Sequence, residues 1–552
     1  MAGNAQPSPP PDATPRRGTG VGRLDGASKA RIVTVAAVVI LFAEVVPLQY
    51  AMVLPAVQKV GASWPEVGGN LGWMVIIIAL VGGATTPIVS KLADLYGKRR
   101  IMLMCSVGFL VGSILCAVTD SWALFLVGRA LQATAFAMTA IAVGLLRDLL
   151  PRRYVPVAIG ALAAGFGFSG ILSPFVGGAL TDQYSWRSLF WFLVVYGAVI
   201  IPLMLLLVPE SSVRVHERLD WVGAILLGGG VALALVYISN GQTWGWSRPS
   251  AWAYLTVGLI VLGLFAVWET KTPSPMMSPH LLRSSKVSMV LAVGFLANVV
   301  IGGIGYIVPY MAQTDASAIK DQILAGAAAT AGQPVEVMRQ IITFEGDLGY
   351  GFGFSLLAFA AHITIGMSAT SMAAGPAAGM WGRASGLRGP LIAGMAVMGT
   401  SAGLLALWHG HWVTVLVFYT VYGVGFGFYY SAANNLVVEA VPERESAVGA
   451  GMLAVAQSFG AAVGTAIITA VLSAHTFRTV SPGPTGQGTV TTDIPQVYTD
   501  AGWTTALWVV AAAGGLGTVI ALLLKSGRTP ATGGTASDIV AATDERVTAA
   551  SG

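Results

Sequence analysis

The sequence predicts an all-α membrane protein of fourteen transmembrane helices, two six-helix bundles with two extra helices between them. Three observations predict it. Hydrophobic residues make up 55% of the 552 and charged ones only 10%, with a mean hydropathy of +0.73, beyond what a soluble chain of this length reaches. Apolar runs of about 20 residues, enough to cross a bilayer core about 30 Å thick, recur along the chain. Cations gather in alternate connecting segments.

The runs lie near 31–57, 67–90, 101–119, 122–146, 155–180, 188–208, 220–240, 251–269, 287–312, 350–373, 390–408, 412–438, 446–474 and 503–524. One set of connecting segments holds Arg16, Arg17, Arg23, Lys29 and Arg31, then Lys91 and Lys98 to Arg100, then Arg147, Arg152 and Arg153, with further cations in each later one. The other set holds only Lys59, Arg187, Arg248, Lys320, Arg339 and Arg478. By the positive-inside rule both termini face the cytoplasm of a cytoplasmic membrane. The net charge of +5 thus has a positional explanation and does not argue for a nucleic-acid partner. Richness in Ala, Gly and Val is the composition of a high-GC bacterium.

Residues 1–30 and 525–552 read as polar, small-residue cytoplasmic tails, the first disordered and without the apolar core of a signal peptide. Between them the chain parses as an N-terminal six-helix bundle (31–208), a linker with two extra spans (209–286) and a C-terminal six-helix bundle (287–524). Such doubling places a substrate site between the bundles near the midplane. Two connections, 313–349 and 475–502, are longer than the rest and both extracytoplasmic, each a candidate gate or lid. In the first, SAIKDQILA and PVEVMRQII predict short amphipathic helices, or a surface insertion without function. The second, with SPGPTGQGT, reads as flexible loop. Cys105 and Cys116 fall in the third run, where thiols act as small hydrophobes.

The turn SKLADLYGKRR (90–100) packs an Asp and four cations between two apolar runs. A tight turn needs Gly97 for its backbone freedom, and Asp94 suits the N–H groups at a neighbouring helix's N-terminus. With Leu92, Asp94, Gly97, Lys98 and Arg99 in place, it resembles the signature loop of the major facilitator superfamily, although Ser90 stands where Gly is usual. The resemblance implies a conformational latch between the bundles formed by Asp94, Gly97, Lys98, Arg99 and Asp148 of LLRDLLP. The matching turn of the second half, GMWGRASGLRG (379–389), has Arg383 in place of the acid. LFLVGRALQATAFA (124–137) is similar to the fourth-span motif through Arg129 and Gln132. SGILSPFVGGAL (169–180) resembles the antiporter motif through Pro174, Gly177 and Gly178, with Ser169 and Ser173 at usual glycine positions. Small residues there let helices approach closely. LDWVGAILLGGG, GQTWGW and WRSLFWF look like landmarks of the fourteen-spanner drug:proton antiporter branch, from 31 to 524. That branch usually carries an Asp nine residues before the Pro closing the first span. Here Val46 occupies that place, and Glu44 is the nearest acid.

Two ionisable side chains fall deep within the runs, Glu44 and Arg129. Intramembrane charges cost several kcal/mol unless paired or hydrated, so they mark function by default. The expectation is that Glu44 carries the proton and Arg129 is its electrostatic partner, or that the pair only braces two helices. Gln49, Gln132, Asn298, Tyr306, His362, Tyr430 and Asn434 are candidate cavity residues. His409 and His411 in WHGHW lack further ligands for a metal. The glycines of GFGFSG (165–170) lie inside an apolar run and serve packing, not phosphate binding.

The sequence therefore predicts a monomeric, proton-coupled transporter that exports amphipathic drugs, antibiotics or lipid-like compounds by alternating access, with the proton gradient in place of any cofactor. A carrier of a nutrient or metabolite is the alternative within the class. An enzyme would need a polar catalytic cluster and a sensor a soluble signalling domain, and neither is apparent.

Overall fold

The computed structural model of the chain describes residues 24–151, 154–212, 219–273, 275–441, 446–482 and 488–528. The predicted tails, up to residue 23 and from 529, lie outside them. The first half comprises α1 (Lys29–Ala43), α2 (Val45–Val53), α3 (Val57–Gly61), α4 (Trp73–Tyr96), α5 (Lys98–Val118), α6 (Trp122–Gln132), α7 (Met138–Leu149), α8 (Val155–Gln183) and α9 (Arg187–Leu207). The extra pair is α10 (Trp221–Trp244) and α11 (Pro249–Glu269), followed by the short α12 (Pro279–Arg283). The second half runs through α13 (Ser285–Gln313), α14 (Ala316–Ala331), α15 (Val335–Ile341), α16 (Leu356–Phe359), α17 (Ile365–Ser385), α18 (Arg388–Leu407), α19 (Trp412–Ala440), α20 (Ser446–Ser473) and α21 (Asp500–Leu523).

Among the described residues, thirteen helical stretches are long and apolar enough to cross a membrane. The 29-residue α8, whose only charged residue is Asp182, occupies the fifth predicted run. Breaks in the helices follow the sequence. Pro47 offers no N–H to Ala43 and its ring crowds that carbonyl, so the first span divides at Glu44, between α1 and α2. The turn between α4 and α5 is made by Gly97 at φ +116, a region closed to most other residues.

Each half has an aromatic core near the end remote from the basic turn. Trp64, Trp122, Phe125, Trp186 and Phe190 form one, with ring centroids 5.2 to 6.0 Å apart. Tyr310, Tyr350, Tyr498 and Trp503 form the other. Edge-on and tilted rings at this spacing add about 0.5–1.5 kcal/mol per pair beyond area burial.

The halves meet along two seams, α4 against α20 and α8 against α16 and α17. Helix α10 packs on both α4 and α20 and covers the first seam, while α11 packs mainly on α10. Between described residues, the hydrogen bonds joining the halves lie at mid-depth or at the end opposite the basic turn. Gln58 Nε2 donates to Thr314 Oγ1 (3.2 Å), Gln313 Nε2 to the Pro55 carbonyl (2.6 Å), and Ser368 Oγ to the Gly170 carbonyl (3.1 Å). Asp182 accepts from the N–H groups of Leu356 and Leu357, at 3.3 and 3.1 Å, at the start of α16. The molecule is thus closed at that end.

The two long connections fold together. The first contains α14 and α15, as its amphipathic segments predict, and then β1 (Thr343–Glu345). In the second, β2 (Thr476–Pro482) and β3 (Thr489–Tyr498) pair antiparallel and β2 pairs with β1 in the order β1-β2-β3, while residues 483–487 of the SPGPTGQGT stretch expected to be flexible lie outside the described residues. Alternation of Thr and Val in TVTTDIPQV suits a half-exposed strand. Gln496 adopts φ +60, rare for a residue with a side chain. It is held there by its Nε2 donating to the carbonyls of Gly61 and Trp64 (both 3.0 Å), and by Tyr310 Oη donating to its own carbonyl (2.7 Å).

Asp493 accepts from Arg478 Nε (2.7 Å) and Thr476 Oγ1 (2.9 Å) between β3 and β2. The Arg478 hydrogen bond holds the Asp493 carboxyl below its ordinary 3.8. A folded value below the unfolded one gives support that is present above pH 3.8 and lost as pH falls through the folded value. Both groups are exposed, so the support is worth about 0.5 kcal/mol. Hydrogen exchange across 476–498, corrected for its intrinsic pH dependence, is expected to rise slightly below pH 3.8 and not between pH 5 and 8.

Candidate functional site

The break in the first span places Glu44 in the interior, 4% exposed. Ser169 Oγ of α8 donates to its Oε2 at 2.5 Å, while Oε1 is buried without a partner. Gly165, one turn earlier on α8, makes the room, since a Cβ there would stand 2.2 Å from Oε1. Serine at 169, where the resembled motif has glycine, thus puts a hydroxyl on the carboxyl.

Arg129 is also buried, 3% exposed, but it does not meet Glu44. Its Nε donates to the Met74 carbonyl (3.1 Å), its guanidinium to Gln132 Oε1 (2.7 Å), and Gln132 Nε2 to Ser113 Oγ (2.8 Å). The expected pairing therefore needs correction in this conformation. Arg129 on α6 turns toward α4 and α5, where neutral oxygens solvate it, and Glu44 turns toward α8. Phe190 lies 5.8 Å from the guanidinium.

Of the other candidates, Tyr430 is half exposed and stacks on Phe426 at 5.4 Å. Asn434 is exposed one turn further on, its Nδ2 donating to the Tyr430 carbonyl. Asn298 Nδ2 donates to Tyr429 Oη (3.0 Å), which also accepts from Gln457 (2.9 Å). Three candidates are buried and a fourth, His362, is exposed. Gln49 and Gln132 are wholly buried, the first with both amide atoms unpartnered and the second committed to Arg129. Tyr306 is buried against Tyr310. His362 lies beside Phe354 and Trp412 at the closed end. His409 and His411 do not converge either. His409 pairs with Asp500 at 2.8 Å, and His411 accepts from the Val413 N–H at the start of α19.

In the basic turn, Lys98 Nζ lies 2.9 Å from both Asp94 and Asp148. Gly144 makes this possible, since a Cβ there would stand 2.8 Å from Lys98 Cε. Ser211 donates to Asp148 Oδ2 (2.5 Å). At the N-terminus of α5, Glu210 accepts from the N–H groups of Arg99 (3.0 Å) and Arg100 (2.9 Å). Arg99 also donates to the Leu205 carbonyl at 2.5 Å. These contacts tie the first half to its own linker and not to the second half, because the halves are joined at the opposite end. Replacing Lys98 by Met leaves the largely buried Asp148 facing Asp94 without a cation and is expected to cost about 3 kcal/mol, read as a lower thermal unfolding midpoint in detergent.

The antiporter-like stretch of α8 is a contact surface. Gly177 lies against the Met52 backbone, and a Cβ on Gly178 would stand 2.6 Å from Leu357 N and Cα. Pro174 is inside α8 and the neighbouring Ser173 Oγ is buried without a partner.

The sequence pattern of the major facilitator superfamily matches residues 34–335, more than half of the chain. The chain belongs to that superfamily. Its apolar helices are those of a multi-pass membrane protein, and its helical fold is the superfamily's, with the small sheet added outside the apolar helices. A probable actinorhodin transporter from Streptomyces coelicolor is 26% identical over 78% of this chain and 71% of its own length. The multidrug resistance protein Stp of Mycobacterium tuberculosis is 26% identical over 77% and 72%. The uncharacterized MFS-type transporter YvkA of Bacillus subtilis is 28% identical over 49% of this chain, which spans only 60% of its length. With an uncharacterized M. tuberculosis MFS-type transporter that span falls to 39%. Among solved structures, a peptide transporter in complex with sulfate superimposes with a TM-score of 0.58 at 15% identity, covering 90% of this chain and 93% of that one. The xylose transporter XylE from E. coli gives 0.54 at 12%, covering 90% and 98%. At such identities the superposition speaks for the fold alone.

Proposed function

We propose that this superfamily transporter exports amphipathic drugs, antibiotics or lipid-like compounds in exchange for protons, as a member of the fourteen-spanner branch. The observation that carries the reading is Glu44, a carboxyl in the membrane interior at a helix break, with one oxygen hydrogen-bonded to Ser169 and the other unpartnered. Such a group alternates between a neutral acid, which its burial favours, and a carboxylate that Ser169 stabilises. Efflux supports the direction, since relatives covering three quarters of the chain are a multidrug resistance protein and a probable actinorhodin transporter.

With the basic turn in the cytoplasm, the conformation is inward-facing, sealed outside by the Asp182, Gln313 and Gln496 contacts. Proton release inside and drug loading there, followed by closure of the basic end, complete the cycle. In that closure Asp94, part-exposed beside Lys98, is the latch acid that reaches the second half. Tyr430, Phe426 and Asn434 offer flat apolar faces and a polar edge to the substrate, and Arg129 sets the field around Tyr50. The drive is about 2.3 kcal/mol per charge per 100 mV, plus the pH gradient. The test is purified protein in proteoliposomes carrying an imposed pH gradient. Substrate-dependent dissipation of the gradient by cationic or neutral amphiphiles is expected. Uphill movement of sugars or amino acids, with none of amphiphiles, overturns the reading.

A further inference from the structure

The extra helix pair carries two acids, and both are buried at the same end. Asp220 precedes α10 and Glu269 ends α11, each 4% exposed. Asp220 Oδ1 accepts from the Gly223 N–H (2.8 Å), capping α10, and from Trp268 Nε1 (2.7 Å). Glu269 accepts the N–H groups of Met276 (3.3 Å) and Met277 (2.8 Å). Asp220 Oδ2 is buried with no hydrogen-bond partner. It faces the space left by the missing side chain of Gly223, where a Cβ would stand 2.2 Å from Asp220 Oδ2 and 3.0 Å from Glu269 Oε1. The two carboxyls therefore converge on the space at Gly223, which is too small for any side chain.

No cation balances them among the described residues. Arg248 lies at the far end of the pair, and α20, packed on α10, contains no charged residue. On α4, Asp94 is taken by Lys98, and Lys91 makes no ion pair with either carboxyl, nor does Lys271 beyond α11. Glu66 lies before α4, at the opposite end from the pair. Two carboxylates converging on one glycine repel each other. One proton between them removes a charge and supplies the donor that Oδ2 lacks.

We propose that Asp220 and Glu269 hold a single proton between them, a protonation site in the extra helix pair, separate from the central cavity and independent of Glu44. Loss of that proton to water leaves two like charges that push the ends of α10 and α11 apart. It also loosens the 270–278 segment, whose Met276 packs with Ile88 and Ala224.

The test uses the full-length protein in lipid nanodiscs, in a Glu44→Gln background so that the cavity acid is silent. Infrared difference spectra across pH are expected to show a protonated-carboxyl C=O band at neutral pH that vanishes at alkaline pH and is missing from E269Q. The unfolding midpoint of the parent is expected to fall by a few degrees over the same pH range. In E269Q, whose amide donates to Asp220 Oδ2 at every pH, it stays level. Parallel pH profiles for parent and E269Q, or a band that E269Q retains, overturn the proposal. So does an alkaline stability that depends on added Na⁺ or K⁺, which assigns the space to a metal cation.

Discussion

Glu44→Gln is expected to abolish proton-driven export while leaving a folded protein that still exchanges substrate down its gradient. The amide has the size of the carboxyl, and its oxygen still accepts from Ser169. A neutral amide at a buried position costs no more than an ionised acid does. What is lost is the ability to carry a proton. In proteoliposomes, substrate-driven dissipation of a pH gradient should fall to that of empty vesicles, whereas counterflow of labelled substrate at equal pH should persist. Uphill export at an unchanged rate in the glutamine variant would remove Glu44 from the mechanism, whatever its burial.

Gly178→Val is expected to stop transport by a different route, because it blocks one conformation and leaves the chemistry intact. The added Cβ meets the Leu357 backbone at 2.6 Å, and backbone cannot step aside as the tip of a flexible side chain can. The close approach of α8 and α16 exists only where the halves are joined, so a protein opened at that end accommodates valine. An introduced cysteine at Leu357 should then react faster with an impermeant maleimide. The native thiols do not interfere, since Cys105 and Cys116 are buried. Transport with unchanged labelling would show that the approach is not obligatory.

The fold was legible because hydropathy and cation placement carry a strong signal in each span. The site was legible in depth but not in direction. Sequence locates Glu44 and Arg129 along their helices, while the rotation of each helix decides which neighbour it faces, and that rotation separates the two. Ser169 was visible only as a departure from a glycine pattern, although a hydroxyl five residues before Pro174 on a cavity helix is a partner for a nearby acid. Glu210 was hidden in a polar connection whose role depends on the turn above it. The pairing of β2 with β3 was obscured by the run of Pro and Gly in the sequence between them, and Thr–Val alternation in TVTTDIPQV was the available sign.

Under the proposed export of amphiphiles, the placement of α10 bears on how such molecules reach the cavity. By lying across the α4–α20 seam it walls off one flank from the acyl chains, whereas no helix of the extra pair lies over the α8–α17 flank. Entry from the bilayer then favours the uncovered flank, and bulky side chains along it, more than those in the covered one, are where selection by girth would act.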